Sequence, residues 1–175
     1  MLQIAILGME DGDHPFSCQA EAGQIDGMFE EFTGTVQVHG IVRRQGKRLW
    51  IEAHAKCMAN LICDISGNPF TEQISAPIQL AYRVDTHLFL ISEQPSEGDE
   101  ILIREDERFI DLTEEARQEL AIHLPMKRLA PEYRDKTFEE LYPAVATAAA
   151  EDEHKEEELP GDPWAALRGL KLNNN

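Results

Sequence analysis

The sequence predicts an α+β fold: an antiparallel sheet built around a long hairpin, packed by one main helix, with a helical C-terminal tail. Three observations carry that prediction. From Leu49 to Cys63 every second residue is apolar or small (Leu49, Ile51, Ala53, Ala55, Cys57, Ala59, Leu61, Cys63), the period of a strand with one buried face. Leu112, Ala116, Leu120 and Leu124 recur every four residues between Asp111 and Pro125, which is a helical stripe. Near the C-terminus Asp162-Pro163-Trp164 opens a compact helix signal running to Leu170. Residues 1–136 are expected to form one α+β domain and residues 137–175 a helical and acidic extension with a short terminal helix.

Taken in order, Leu2 to Ile6 alternates and predicts a first strand paired with a later one. Residues 8–24 carry Gly8, Gly12, Pro15 and Gly23 among acids and read as a loop with an acidic tip. Ile25, Met28, Phe29 and Phe32 are apolar anchors leading into the hairpin. Val36, Val38 and Ile41 supply the partner of the Leu49–Cys63 strand. The segment Arg43-Arg44-Gln45-Gly46-Lys47-Arg48 is the tip, with Gly46 able to take the positive φ of a tight turn.

Asp64 to Pro69 is dense in turn formers. A further strand is expected from Phe70 to Val84, with Pro77 suiting an edge or bulge. His87 to Ile91 reads as another short strand, 92–100 as an acidic loop, and Ile101 to Ile103 as a last short strand. Asp111 can cap the main helix with Glu114 as its capping-box partner, and Pro125 ends it. Thr137 and Glu140 open a second helical segment that Pro143 breaks, Ala144 to Ala150 continue as a weak helix, and Glu151 to Glu158 reads as a solvated linker. Asp162 is the N-cap of the terminal helix, with Pro163 in its first turn and Trp164 on its apolar side.

A chain of 175 residues with 42% hydrophobic residues is large enough to bury a core. No run approaches the roughly 20 apolar residues of a membrane helix, and three Cys at irregular spacing do not describe a disulfide framework. A cytoplasmic protein with reduced thiols is the expectation. The net charge of -17 is unevenly spread: residues 1–33 hold seven acids and no Lys or Arg, whereas residues 34–63 hold five basic residues against Glu52. That field opposes nonspecific nucleic-acid binding everywhere but at the hairpin.

Catalytic signatures are lacking. There is no Gly-x-Ser-x-Gly elbow, phosphate loop or His-Glu-x-x-His helix, and the many carboxylates single out no pair. Cys57 and Cys63 share the apolar phase while His54 lies on the other, and no Cys-x-x-Cys exists to anchor a structural zinc site. The expectation is therefore a protein that is not an enzyme, with no cofactor and no metal. The best site-like feature is the tip, Arg43, Arg44, Lys47 and Arg48, with Trp50 on the outward phase as a stacking group. It suits RNA phosphates or an acidic protein face, or serves only as a solvated turn that protects the edge.

Several motifs follow one another in a recognisable order. The hairpin ends in what looks like a Cys-x-x-Cys turn with its second cysteine replaced, Cys63 to Ser66. Ile110-Asp111-Leu112 opens a helix, Leu124-Pro125-Met126-Lys127 leaves it, and Asp162-Pro163-Trp164-Ala165-Ala166-Leu167-Arg168-Gly169-Leu170-Lys171 closes the chain. This order resembles the YceD family, bacterial and plastid proteins associated with accumulation of large-subunit ribosomal RNA. The resemblance implies a non-enzymatic role in 23S ribosomal RNA accumulation and ribosome assembly, with a ribosomal RNA precursor or a large-subunit ribosomal protein as partner. It makes Asp111, Leu112, Leu124, Pro125, Asp162, Pro163 and Trp164 structural motif residues. Family members often carry cysteines that suggest a metal site. Here Ser66 stands at the second turn position and Ala130 where a later cysteine would come, so no metal ligand is carried over. The alternative reading is an acidic protein-interaction module that holds a basic ribosomal protein, since opposite charge steers association.

Overall fold

The computed structural model describes residues 1–91, 96–97 and 100–142. The elements in chain order are β1 (Gln3–Ala5), β2 (Gly12–Glu21), β3 (Phe32–Gln45), β4 (Arg48–Ile62), β5 (Pro69–Val84), α1 (Thr86–Ile91), β6 (Ser96–Glu97), β7 (Glu100–Ile103), β8 (Phe109–Asp111), α2 (Thr113–Ile122) and α3 (Phe138–Leu141). They fall into two units, Met1–Ala130 and Pro131 onward. Among the described residues no helix is long and apolar enough to cross a membrane.

The main sheet has the order β2-β3-β4-β5-β7-β6, and β1 pairs with β8 in a separate two-stranded ribbon. The hairpin of β3 and β4 is its centre. Gln45 pairs with Arg48 across a two-residue loop, Gly46-Lys47, in which Gly46 takes φ 57°. Every apolar-phase residue of β4 is buried, from Leu49 to Cys63 just beyond its end. On β3 the buried residues are Phe32, Val36, Val38 and Val42, whereas Ile41 lies on the other phase and is 43% exposed. Ile41 therefore belongs to the partner strand but not to the core.

Residues 12–21, expected as loop, are instead the edge strand β2, paired with β3 over its whole length. His14, Phe16, Cys18 and Ala20 alternate half-buried with exposed neighbours. Pro15 is tolerated because an edge strand has one side without a ladder to complete. The reading of His87–Ile91 as a strand is also corrected, because the segment is α1. Asp85 Oδ1 accepts from Leu88 N–H at 3.1 Å and the Asp85 carbonyl accepts from Phe89 N–H at 2.9 Å. A short apolar run does not discriminate strand from helix, and here the capping aspartate decided it. Part of the expected 92–100 loop, Ser96–Glu97, pairs with β7 as β6, and β8 rather than Ile101–Ile103 is the last strand.

Pro77 sits in a long, unbulged strand opposite His54. Lys47 carbonyl accepts from Val84 N–H at 2.7 Å, so odd-numbered residues of β4 bond β5 and even-numbered ones bond β3. Pro77 thus faces His54 at a non-hydrogen-bonded position and its missing N–H points away from β4. Beyond it, β7 reaches only residues 81–84 of β5, so the proline interrupts no ladder.

One face of the sheet is covered. Leu112, Ala116 and Leu120 are fully buried and join the core with Ile51, Ala55, Ile78 and Tyr82; burying each large aliphatic side chain contributes about 1.5–3 kcal/mol. Leu2 carbonyl accepts from Leu112 N–H at 2.8 Å, which ties β1 to the helix start. In the second unit, Thr137 N–H donates to Glu140 Oε2 at 2.9 Å and Glu140 N–H to Thr137 Oγ1 at 3.4 Å, a reciprocal capping box at the start of the helical segment expected there. The expectations for Pro143, Ala144 to Ala150, the acidic linker and the terminal helix of Asp162, Pro163 and Trp164 lie outside the described residues.

Candidate functional site

The tip cations are brought to one end of the sheet, but the fold divides them. Arg43, Arg48 and Trp50 share the outward phase of the hairpin, and Arg43 stands directly opposite Trp50. Arg44 belongs to the opposite phase, its Nε donating to Gly46 carbonyl at 3.3 Å, and Lys47 occupies the turn itself. Arg43, Lys47 and Arg48 meet carboxylates that lie far from the tip in sequence. Arg43 Nε lies 2.8 Å from Asp13 Oδ1, Lys47 Nζ 3.0 Å from Glu105 and 3.9 Å from Asp85, and Arg48 Nε 3.0 Å from Glu100. The hydrogen bond and charge of Glu105 raise the pKa of Lys47, and those of Asp13 raise that of Arg43. Gly46 N–H donates to Asp11 Oδ1 at 2.9 Å, fastening the turn to the loop before β2. Arg43–Asp13 and Lys47–Glu105 are exposed on both sides, and pairs of that kind contribute about 0–1 kcal/mol each; Asp85 and Glu100 are more covered.

The outward phase of β2 to β5 continues from the tip as an open sheet face. His39 and His54, directly opposed on β3 and β4, stack with ring centroids 6.2 Å apart and planes at 24°. They border a shallow depression of about 530 Å³ with Ile41, Glu52, Pro77 and Gln79. Lys56 and Arg83 lie on the same phase. Sequence reasoning named Ile41, Glu52, His54 and Pro77 for other reasons and did not join them into one surface, because that surface depends on registering β2 and β5 against the hairpin. At the far end of β4, Phe29, Ile62, Asn60 and the Glu31–Arg128 ion pair (3.1 Å) border a second depression.

The motif segments meet at a second locus. Asp64 N–H donates to Arg128 carbonyl at 2.8 Å, Arg128 N–H to Asp64 Oδ2 at 2.7 Å, and Ala130 N–H to Cys63 Sγ at 3.4 Å. The turn after the hairpin and the exit from α2, distant in sequence, are thus laced together. Burial pushes the Cys63 thiol up, but hydrogen bonds from Ala130 N–H, the Ser66 side chain and the N–H groups of Ser66 and Ile65 outweigh it and bring the thiol down to about 7. Cys63, Ser66 and Ala130 offer one thiolate where a structural zinc ion wants four ligands. The residues present do not fit a metal. Cys57 donates to the carbonyls of Thr33 and Met58 at 3.6 Å, and burial raises its thiol, as it does that of Cys18.

Asp111 joins β8 to α2: its Oδ1 accepts from Thr113 N–H at 2.9 Å and from the Thr113 hydroxyl. Burial pushes the Asp111 carboxyl up, and the bonds from Thr113 and Gln3 outweigh it and hold it below the usual range. The expected capping box is corrected. The helix begins after Leu112 with no side-chain cap, and Glu114 turns outward to Arg117 and Gln118. Leu124 packs against the core, and the helix ends at Ile122, ahead of Pro125.

A family model described as large ribosomal RNA subunit accumulation protein YceD matches residues 51–171, more than half of the chain. No curated protein matches the chain significantly, and no solved structure does so.

Proposed function

The chain belongs to the YceD family of large ribosomal RNA subunit accumulation proteins, and we propose that it supports 23S ribosomal RNA accumulation and large-subunit assembly in the cytoplasm by binding rather than by catalysis. The partner in this reading is a ribosomal RNA precursor, met first by the hairpin tip. The observation that carries it is the clustering of Arg43, Arg44, Lys47 and Arg48 around a two-residue turn beside Trp50, on a chain of net charge -17. Two of their present partners, Asp13 and Glu105, are exposed carboxylates, and exchanging such a pair for a phosphate costs little, while Arg and Lys on phosphate release counterions.

The test joins a cellular and a binding readout. A deletion strain profiled on sucrose gradients should lose mature large subunits and full-length 23S RNA, and the parent protein should restore both. The fourfold variant Arg43→Ala, Arg44→Ala, Lys47→Ala, Arg48→Ala should fail to restore them and should lose salt-sensitive binding to precursor RNA in a gel shift. Normal particle profiles without the protein would remove the ribosomal role. Full rescue by the fourfold variant would remove the tip.

A further inference from the structure

The tip is one corner of a larger surface. The outward phase of β2 to β5 carries Ser17, Gln19, Gln37, Ser75 and Gln79, all exposed, with four cations (Arg43, Arg48, Lys56, Arg83) against three carboxylates (Asp13, Glu21, Glu52). A chain of net charge -17 therefore keeps a broad face that is close to neutral and rich in amides and hydroxyls. Its rings are the half-buried Trp50 and the stacked His39–His54 pair. They are four residues apart along β4, about 13 Å at strand rise.

We propose that this open face is a platform for single-stranded RNA, in which bases stack on Trp50 and on the His39–His54 pair while Arg43, Arg48 and Lys56 meet the backbone. The proposal rests on the RNA reading above and names the form of RNA that the same site takes. Charge decides between single strand and duplex. A face with so small an excess of cations holds a duplex poorly, because a duplex offers it phosphates and keeps its bases stacked inside. Unpaired bases add stacking, which tolerates any sequence because every base has a π-face. The amides of Gln37 and Gln79 can pair with base edges that only an unpaired strand exposes. Glu52 lies between the two aromatic rows, directly opposite Ile41, so its charge opposes the ligand there.

The experiment is fluorescence anisotropy of the full-length protein with a labelled single-stranded oligoribonucleotide and with the same sequence annealed to its complement. The single strand should bind at least tenfold more tightly. Trp50→Ala should weaken it by about tenfold to a hundredfold, the range that loss of one stacked base gives, and His39→Ala with His54→Ala should weaken it similarly. Glu52→Gln removes no packed group and should tighten binding, which keeps the test decisive if Trp50→Ala fails to fold. Equal affinity for duplex overturns the proposal. So does binding that survives the Trp50 and His39/His54 changes but is lost in Arg44→Ala with Lys47→Ala, an outcome that leaves the tip reading intact. Absence of any RNA binding, with a protein partner captured instead through Trp50, removes both.

Discussion

Gly40 shows how one position controls the spacing of the central strands. It pairs with Ala53 on the covered phase of the hairpin, and a Cβ built there would lie 2.2 Å from Glu52 carbonyl oxygen and 2.5 Å from Ala53 Cα and Cβ. Two of those atoms are backbone, so no side-chain rotation relieves the contact. Gly40→Ala must push β3 away from β4 at mid-length, a form of overpacking that costs about 1–3 kcal/mol. Gly23 is the control, since a Cβ there meets nothing within 4 Å, and Gly23→Ala should stay within about 0.5 kcal/mol of the parent. Urea denaturation of the two variants measures the difference, and equal midpoints would mean that the hairpin yields at no cost. Because His39 and Ile41 flank the glycine, a displaced β3 should also weaken whatever the open face binds.

Elements differ in how much of them the sequence discloses, and the physical reason is visible in each. β4 was legible because an unbroken alternation of apolar residues has no competing reading over that length. β2 was not: Gly12, Pro15 and neighbouring acids are turn chemistry taken locally, and the weak alternation of Phe16, Cys18 and Ala20 gains meaning only when β3 lies beside it. Without β2 and β7 beside the hairpin, the tip reads as a lone basic patch; their carboxylates Asp13 and Glu100 reach Arg43 and Arg48 only in the folded sheet. α1 turned on a single cap, Asp85. In α2 the four-residue spacing discloses the buried stripe Leu112, Ala116 and Leu120 but not the partner of Glu114, whose two acceptor oxygens turn to Arg117 and Gln118 as readily as back to a cap.

That choice makes a pH dependence. The hydrogen bonds from Arg117 and Gln118 bring the Glu114 carboxyl down to about 2 from an ordinary value of 4.5. A folded-state pKa below the unfolded one gives stability that is complete above about 4.5 and is lost as pH falls toward about 2. Urea midpoints should therefore fall across that window. Glu114→Gln should start lower, fall less steeply and meet the parent curve near the acid end. Parallel curves would show that the carboxylate is not engaged in solution. The group is exposed, so the separation should be small.

At the scale of the whole molecule, local contacts and long-range field oppose each other. Residues 1–33 contribute seven acids and no Lys or Arg, and the cations of the hairpin are mostly matched by carboxylates brought in from β2, β7 and the segment before β8. An approaching RNA strand therefore meets net repulsion before it meets Arg43, Arg48 or Trp50, while a basic ribosomal protein meets attraction. Salt separates the two, because at about 0.1 M charges more than about 10 Å apart are largely screened. For single-stranded RNA the association rate constant should rise as ionic strength increases from about 0.01 to about 0.1 M, the reverse of ordinary electrostatic steering. The dissociation rate constant should rise as well, since the few phosphate contacts weaken with salt. For a basic protein ligand the association rate constant should fall over the same range. Stopped-flow measurement with each ligand distinguishes them. An RNA association rate that drops steeply with salt would mean that the tip cations, and not the acidic remainder of the chain, govern the encounter.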